Sequence, residues 1–554
     1  MKKFLVVLAL ICLLLPLAAS AGTQTSESYV YNAWSVAVES PPMFVAEKYY
    51  RPEDFGLEKN ADLKDPQDMF IDRVNKKCYI ADAGSNCILR LDIETMKVDK
   101  IWRECWTRVE PKIERRIKQG GSSAEYVFKE VENSDGTVEK QYYEKSAFGE
   151  PKGVCVDTLG RIYVADNKNA RVVVMDQEGF MCGLVLEPDA TEALPSTFQF
   201  QPLRVGVGIA VNNKPTVYVV CMGGTRGAFM FEASDGGYVK GEKGSDVLDG
   251  GKFLGFFGAN KVKWTARLGM DQMIKSILPK SSWGSLTRYI PTEISNIFVQ
   301  DMFVYCVTSA IQGAGGMIQQ TDQIKCMNPN DNNILRYEGG SKNYGDLELF
   351  RNEKTRFVDV TVDERGFITA IDLTAARMFH IDSEGNTLGI QGKGKLGSAE
   401  QMGTTETPSS IENYNGRIWV LDSTLRQITI YKLTEYGENL QNAIYLYNGG
   451  YYEEAVVYWH EVLKRNANCE LAYTGLGRAY MKKDNYEESL RYLKLGYDKR
   501  AYSDVYAQYR SKFISDNFGS FATGALVLVA ALIIFLKRKE ITAFIRKRRK
   551  GGGA

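Results

Sequence analysis

Apolar residues along this chain come in short runs, rich in β-branched and aromatic side chains, that stop at an aspartate. Arg161-Ile162-Tyr163-Val164-Ala165-Asp166 is the clearest run. It is echoed by Cys78-Tyr79-Ile80-Ala81-Asp82, Ile368-Thr369-Ala370-Ile371-Asp372 and Ile418-Trp419-Val420-Leu421-Asp422. Most runs have an apolar strand and a turn before them and a further strand after. Short strands at hairpin spacing, with no helical period between them, predict antiparallel sheets. Their recurrence predicts a repeat architecture.

The repeating unit is legible in four copies, at 66–92, 151–176, 357–382 and 408–431, the last turning on Asn415-Gly416. Asn-Gly supplies the positive φ angles that a tight hairpin requires. Two degenerate copies cover about 202–231 and 294–335. Six four-stranded sheets arranged radially make a β-propeller, which leaves only short, protected edges. The aromatic segment Tyr29-Val30-Tyr31-Asn32-Ala33-Trp34 precedes the first copy and is expected to complete the sixth blade. The predicted propeller spans 22–434, with two insertions. Residues 105–146 hold a charged hairpin about Asp135-Gly136. Residues 259–292 have the apolar spacing of one or two amphipathic helices. For the second insertion a lid over a blade edge and a docking surface for a partner are both open readings.

From about residue 435 the period lengthens to roughly 3.6. Gly450-Tyr451-Tyr452-Glu453-Glu454-Ala455 recurs as Asp484-Asn485-Tyr486-Glu487-Glu488-Ser489, an offset of 34 residues. That is the tetratricopeptide (TPR) period. Ala455 and Ser489 take the small position where two helices cross, and Trp459 and Leu493 the large one after it. Residues 435–517 are therefore expected to form a TPR-like module. Its inner groove, with Tyr447, Thr474, Arg478 and Lys482 as candidate binding residues, suits an extended peptide. A plain spacer is the alternative for so short an array.

The termini place the chain. Lys2-Lys3, an apolar run from Phe4 to Leu17 and Ala19-Ser20-Ala21 make residues 1–21 an expected signal peptide, cut after Ala21. Phe518 to Leu536 is uncharged over nineteen residues, enough to cross about 30 Å of hydrocarbon as a helix. The tail at 537–554 holds eight basic residues and one acidic one. Basic clusters stay on the cytoplasmic side, so residues 22–517 are expected outside a cell membrane crossed once.

Composition narrows the partners. The net charge of +1 conceals those basic ends; the remainder carries 59 basic and 67 acidic residues. An acidic body does not suit nucleic acid, whose phosphates need a basic face. Nine cysteines follow the leader, without metal-type spacing. Cys78, Cys155, Cys221 and Cys306 sit in apolar strands as small hydrophobes, and a Cys78–Cys87 pair across neighbouring strands is an open alternative.

The copy at 151–179 resembles the NHL-repeat family of propellers. It matches at Pro151, Gly153, Val156-Asp157, Gly160, Ile162 to Asp166, Asn169, Arg171-Val172 and Gly179. The other three clear copies are looser: Cys87 and Gln427 replace the family's Arg, and Ala375 its Asn. The whole order of signal, NHL propeller, TPR repeats and anchor is similar to extracytoplasmic proteins of Gram-positive bacteria. That resemblance implies sugar-uptake transporters nearby, and so a transporter subunit or a glycan as partner.

Little chemistry is written in the residues. Asp82, Asp166, Asp372 and Asp422 recur with the repeat, so a shared turn in which the carboxylate accepts backbone N–H groups explains them better than catalysis. The two histidines, His380 and His460, lack companions at metal-site spacing. Neither a G-x-S-x-G elbow nor a phosphate-binding P-loop is present. No cofactor is therefore expected, though an all-carboxylate calcium site of the kind in lactonase-like propellers stays open. A non-enzymatic, membrane-tethered binding or scaffold protein is the first reading. A lactonase-like or other hydrolase with a carboxylate site in the propeller channel is the second.

Overall fold

A computed structural model describes residues 28–58, 62–120, 126–132, 137–188, 198–208, 215–223, 227–240, 246–258, 293–308, 311–312, 318–319, 323–335, 344–346, 355–392 and 402–550. The expected signal peptide and the 259–292 insertion lie outside these residues. The chain divides into two compact units, Met1–Glu438 and Asn439–Ala554.

The first unit is mainly β, and its strands follow the apolar runs. Pro66–Asp72, Lys77–Asp82, Cys87–Asp92 and Lys97–Trp102 pair in that order as one antiparallel sheet. Pro151–Val156, Ile162–Asp166, Arg171–Met175 and Met181–Val185 form the next. A third joins Pro202–Val207, Thr216–Cys221, Ala228–Glu232 and Lys252–Phe257, and a fourth Ile294–Gln300, Phe303–Thr308 and Ile324–Met327. Two more begin at Phe357–Val362 and Pro408–Tyr414. The first strand of each sheet touches the first strand of the next, and Pro408–Tyr414 touches Pro66–Asp72, so the contacts run in a cycle.

Both faces of these sheets are covered, which is why the strands read as continuous apolar runs. The core lies in wedges between neighbouring sheets. Ile80, Leu89 and Leu91 pack against Trp419, Leu421 and Ile428, while Tyr163, Val172 and Val174 meet Val217, Val219 and Phe229. Burying each such side chain is worth about 1.5–3 kcal/mol.

The N-terminal segment departs from expectation. Ser28–Tyr31 does not complete the 408–433 sheet. It pairs with Thr387–Gln391 and with Ala37–Glu39, extending the outer edge of the 357–391 sheet. The strand that completes the 408–433 sheet is Phe44–Tyr50, antiparallel to Gln427–Leu433. Polar anchoring explains the difference. The Tyr31 hydroxyl donates to Asp346 at 2.6 Å, Arg377 donates to the Tyr29 hydroxyl at 2.7 Å, and Arg377 also pairs with Asp346. Arg377 belongs to the turn between two strands of the fifth sheet, and Asp346 lies in the segment before that sheet.

The charged hairpin of the first insertion is present as Val127–Glu132 and Val138–Ala147, which joins Glu104–Arg108 in a three-stranded sheet. Cys78 and Cys87 are free and buried. Cys78 stands opposite Leu91 and Cys87 opposite Asp82, so the two are not cross-strand neighbours.

The helix Glu435–Asn448 carries the chain into the second unit. There Tyr452–Arg465, Glu470–Lys482, Tyr486–Leu495 and Lys499–Asp516 each touch the next in order. Ala455, Trp459, Ser489 and Leu493 are buried as the pattern requires. A Cβ at Gly475 would run into the Trp459 ring, so the crossing depends on a residue without a side chain. Asn485 and Asp498 cap the two following helices by accepting from Glu488 N and Ala501 N. The helix Phe518–Lys550 comes last, and its segment Phe518–Arg546 is long and apolar enough to cross a membrane.

Candidate functional site

Every first strand of the β unit carries a β-bulge at the same place. The register slips between Pro66 and Asp68, Pro151 and Gly153, Pro202 and Arg204, Ile294 and Asn296, Phe357 and Asp359, and Pro408 and Ser410. A bulge leaves one residue unpaired and re-aims its neighbour. The residues after the bulges meet one another across sheets. Asn296 Nδ2 donates to Asp359 Oδ1 at 2.6 Å, and Ser410 Oγ to Asp359 Oδ2 at 2.6 Å. Val154 N donates to Asp68 Oδ2 at 3.0 Å, and Arg204 Nε lies 3.7 Å from Asp68 Oδ1.

Arg204 also satisfies the carbonyls that the bulges release. Its guanidinium donates to Gln67 O, Lys152 O and Leu203 O at 2.9, 2.6 and 2.9 Å, three bulged residues on three sheets. Gly153 makes room for it: a Cβ there would stand 2.8 Å from Arg204 Cα and 2.9 Å from Leu203 O. Gly153→Ala is accordingly expected to lower the unfolding free energy by about 1–3 kcal/mol, the usual cost of overpacking. A urea titration reads this directly, and an unchanged midpoint would show that the strands part freely.

Two residues beyond the bulge position lies a second tier: Phe70, Cys155, Gly206, Phe298, Thr361 and Glu412. Phe70, Cys155, Gly206, Phe298 and Glu412, with Asp68, Asn296 and Asp359 below them, line a cavity of about 770 Å³ that reaches outward to Arg73, Val74, Leu159 and Asp301. Val74 and Leu159 are well exposed, so that end is open. Glu412 is 4% exposed, and its carboxyl meets one hydrogen-bond donor, Thr361 Oγ1, at a long 3.4 Å.

Burial raises the pKa of all three inner acids. Asp359 is pushed up to about 7 by burial and then by the charge of Asp68. Asp68 is raised by burial against the pull of Arg204. Glu412 is raised well above the usual range by burial, with Arg73 opposing and Asp359 and Asp68 adding to it. Asp359 is well provided with donors, including Val360 N and Ile411 N. Glu412 is not.

The recurrent aspartates serve structure. Asp82 accepts from Lys64 N and Asp65 N, Asp166 from Gly149 N, Asp372 from Arg356 N and Ala375 N. Asp422 accepts from Glu406 N, Thr407 N, Thr424 N and Leu425 N. Each carboxylate clamps the chain entering its own sheet, and those of Asp166, Asp372 and Asp422 also hold the turn that follows. His380 is buried against Phe44 and Thr369, and burial lowers its pKa to about 3. Among the described residues no group of three or more His, Cys, Asp or Glu could hold a metal ion.

The residues expected in a helical groove separate into two places. Thr474 donates weakly to Gly496 O at 3.4 Å, and Arg478 pairs with Asp498 at 2.9 Å, so both bear on the turn at 496–498. Lys482, one turn further, is exposed, while Tyr447 packs edge-on against Tyr452. The pattern reading passed over Arg204, Asn296, Asp359, Ser410 and Glu412. Their signal was a polar residue two places after the Pro, Ile or Phe that opens a strand otherwise buried, and, for Glu412, two places further on.

Residues 148–175 match the NHL repeat family. No curated protein matches the chain. Solved structures that overlap it include streptogramin B lyase, at 11% identity over 70% of this chain and 98% of that one, TM-score 0.31. Virginiamycin B lyase from Staphylococcus aureus overlaps at 12% identity over 70% and 99%, TM-score 0.32. The β-propeller domain of Cps50 from Myceliophteria thermophila does so at 8% identity over 71% and 100%, TM-score 0.33. Overlaps so loose decide nothing for this chain. One NHL repeat at 148–175 and the cycle of repeated sheets support a propeller for the first unit, and a helical region and one long apolar helix follow.

Proposed function

We propose that this protein is a membrane-anchored binding or scaffold protein on the outer face of a cell. In this reading residues 22–434 close as a six-bladed propeller, 435–517 are a TPR-like module, 518–536 cross the membrane, and 537–554 are a cytoplasmic tail. Propeller domains commonly serve protein interaction, and the partner is a protein or a glycan. A sugar-uptake transporter is the candidate that the family resemblance supplies.

One observation carries the choice of binder over enzyme. The acids nearest the axis, Asp68 and Asp359, have oxygens taken up by Val154 N, Asn296, Ser410 and Ile411 N. They brace the sheets and line the floor of a cavity. Paired-carboxylate hydrolysis needs two acids free to face one substrate bond. The hydrolase reading keeps one support, the gathering of Asp68, Asp359 and Glu412 around a single cavity.

Affinity capture from solubilised membranes tests the proposal. The full chain is expected to recover a partner at least tenfold over background, and a variant lacking residues 437–517 to lose most of it. Recovery of nothing by either chain, alongside turnover of lactone or glycoside substrates that Glu412→Gln abolishes, would favour the hydrolase.

A further inference from the structure

We propose that the propeller cavity is a binding site for a small organic cation, an ammonium group received by the Glu412 carboxylate beside the Phe70 and Phe298 rings. This rests on the binding reading above and gives it a ligand class.

Charge balance within the cavity carries the argument. Asp68, Asp359 and Glu412 stand against Arg204 and Arg73, so with all three acids ionised the interior holds one negative charge in excess. The arginines beside the cavity already have acceptors of their own. Arg204 is occupied by three backbone carbonyls. Arg73 donates to Val362 O and Asn413 O and lies 5.7 Å over the Phe298 ring. Arg161 at the rim is held by Asp157 at 2.7 Å.

A neutral hydroxylated ligand would leave the repulsion among the three acids unrelieved. A cation relieves it, replaces the proton that keeps Glu412 uncharged, and gives its carboxylate the donor it lacks. An ion pair out of water is favourable when the carboxylate gains such hydrogen bonds. The Phe70 ring in the cavity wall adds attraction for the same charge. The volume of about 770 Å³ admits a ligand larger than a single ion.

The test is saturation-transfer NMR on the full chain in nanodiscs of uncharged lipid. The probes are butylammonium, tetramethylammonium, butanol and butyrate at equal concentration. Both ammonium probes are expected to bind, with butanol weaker and butyrate weakest. Glu412→Gln, close in shape to the protonated acid, is expected to weaken butylammonium at least tenfold. Phe70→Leu, which keeps an apolar wall, is expected to weaken tetramethylammonium three- to fivefold. Butanol or butyrate binding as tightly as butylammonium overturns the proposal, as does ammonium binding indifferent to Glu412→Gln. Partner capture without ammonium binding would remove the cavity site alone; the reverse would remove the scaffold reading alone.

Discussion

Deleting residues 22–50 is expected to abolish folding of the β unit, whereas deleting only 22–40 should leave a folded but weakened one. The two deletions differ by the strand Phe44–Tyr50, which supplies the outer partner of Gln427–Leu433. Without it the buried Ile428, Ile430 and Tyr431 stand beside a row of unpaired backbone groups, an edge that templates aggregation. The smaller deletion removes Ser28–Glu39, whose hold on the neighbouring sheet is the Tyr29, Tyr31, Arg377 and Asp346 cluster. Leaving Asp346 buried against Arg377 with fewer donors costs about 1–3 kcal/mol. Circular dichroism melts and size-exclusion profiles separate the outcomes. Equal behaviour of the two shortened chains would mean that Phe44–Tyr50 does not close the last sheet.

The other large effect comes from the buried acids and depends on pH. Asp359 ordinarily ionises near 3.8 but in the fold only at about 7, and Glu412 is raised as well. The folded chain therefore holds more protons than the unfolded chain between these limits. The contribution of these two groups is then fullest in acid and is lost as pH rises, for Asp359 between about 4 and about 7. Glu412→Gln removes one of these protonations and sacrifices only a long hydrogen bond to Thr361. It is expected to stabilise the chain at pH 8 by on the order of 3 kcal/mol, the effective penalty of one buried, poorly compensated ion. At pH 4, where the native acid is already neutral, the gain should vanish. Urea titrations at both values check this; a gain independent of pH would show that Glu412 does not hold its proton in the fold.

Much of the architecture is legible in the residues because it is local. An apolar strand of five or six residues ended by Asp, as at Ile162–Asp166, specifies its own pairing with Arg171–Met175 through a short turn. The 34-residue offset likewise announces Ala455 against Ser489 and Trp459 against Leu493. The candidate site is not local. Asp68, Arg204, Asn296, Asp359 and Ser410 come from five sheets and are up to 342 positions apart in sequence, and each alone reads as one polar residue in a buried strand. The N-terminal strands mislead for a related reason. Ser28–Tyr31 and Phe44–Tyr50 are both aromatic and alternating, and nothing in either segment names its partner.

From the amino-acid order alone came the repeated β-unit, the change to helical period near residue 435, the apolar terminal segment and the structural part played by the repeat aspartates. These rest on backbone periodicity and turn chemistry, which a few neighbouring residues determine. Folding in three dimensions decided which strand closes the last sheet, how the bulges aim five polar side chains at one axis, and that Glu412 is the acid left short of donors. Those depend on desolvation and on contacts between distant segments, and a buried charge acquires its chemistry only from what surrounds it.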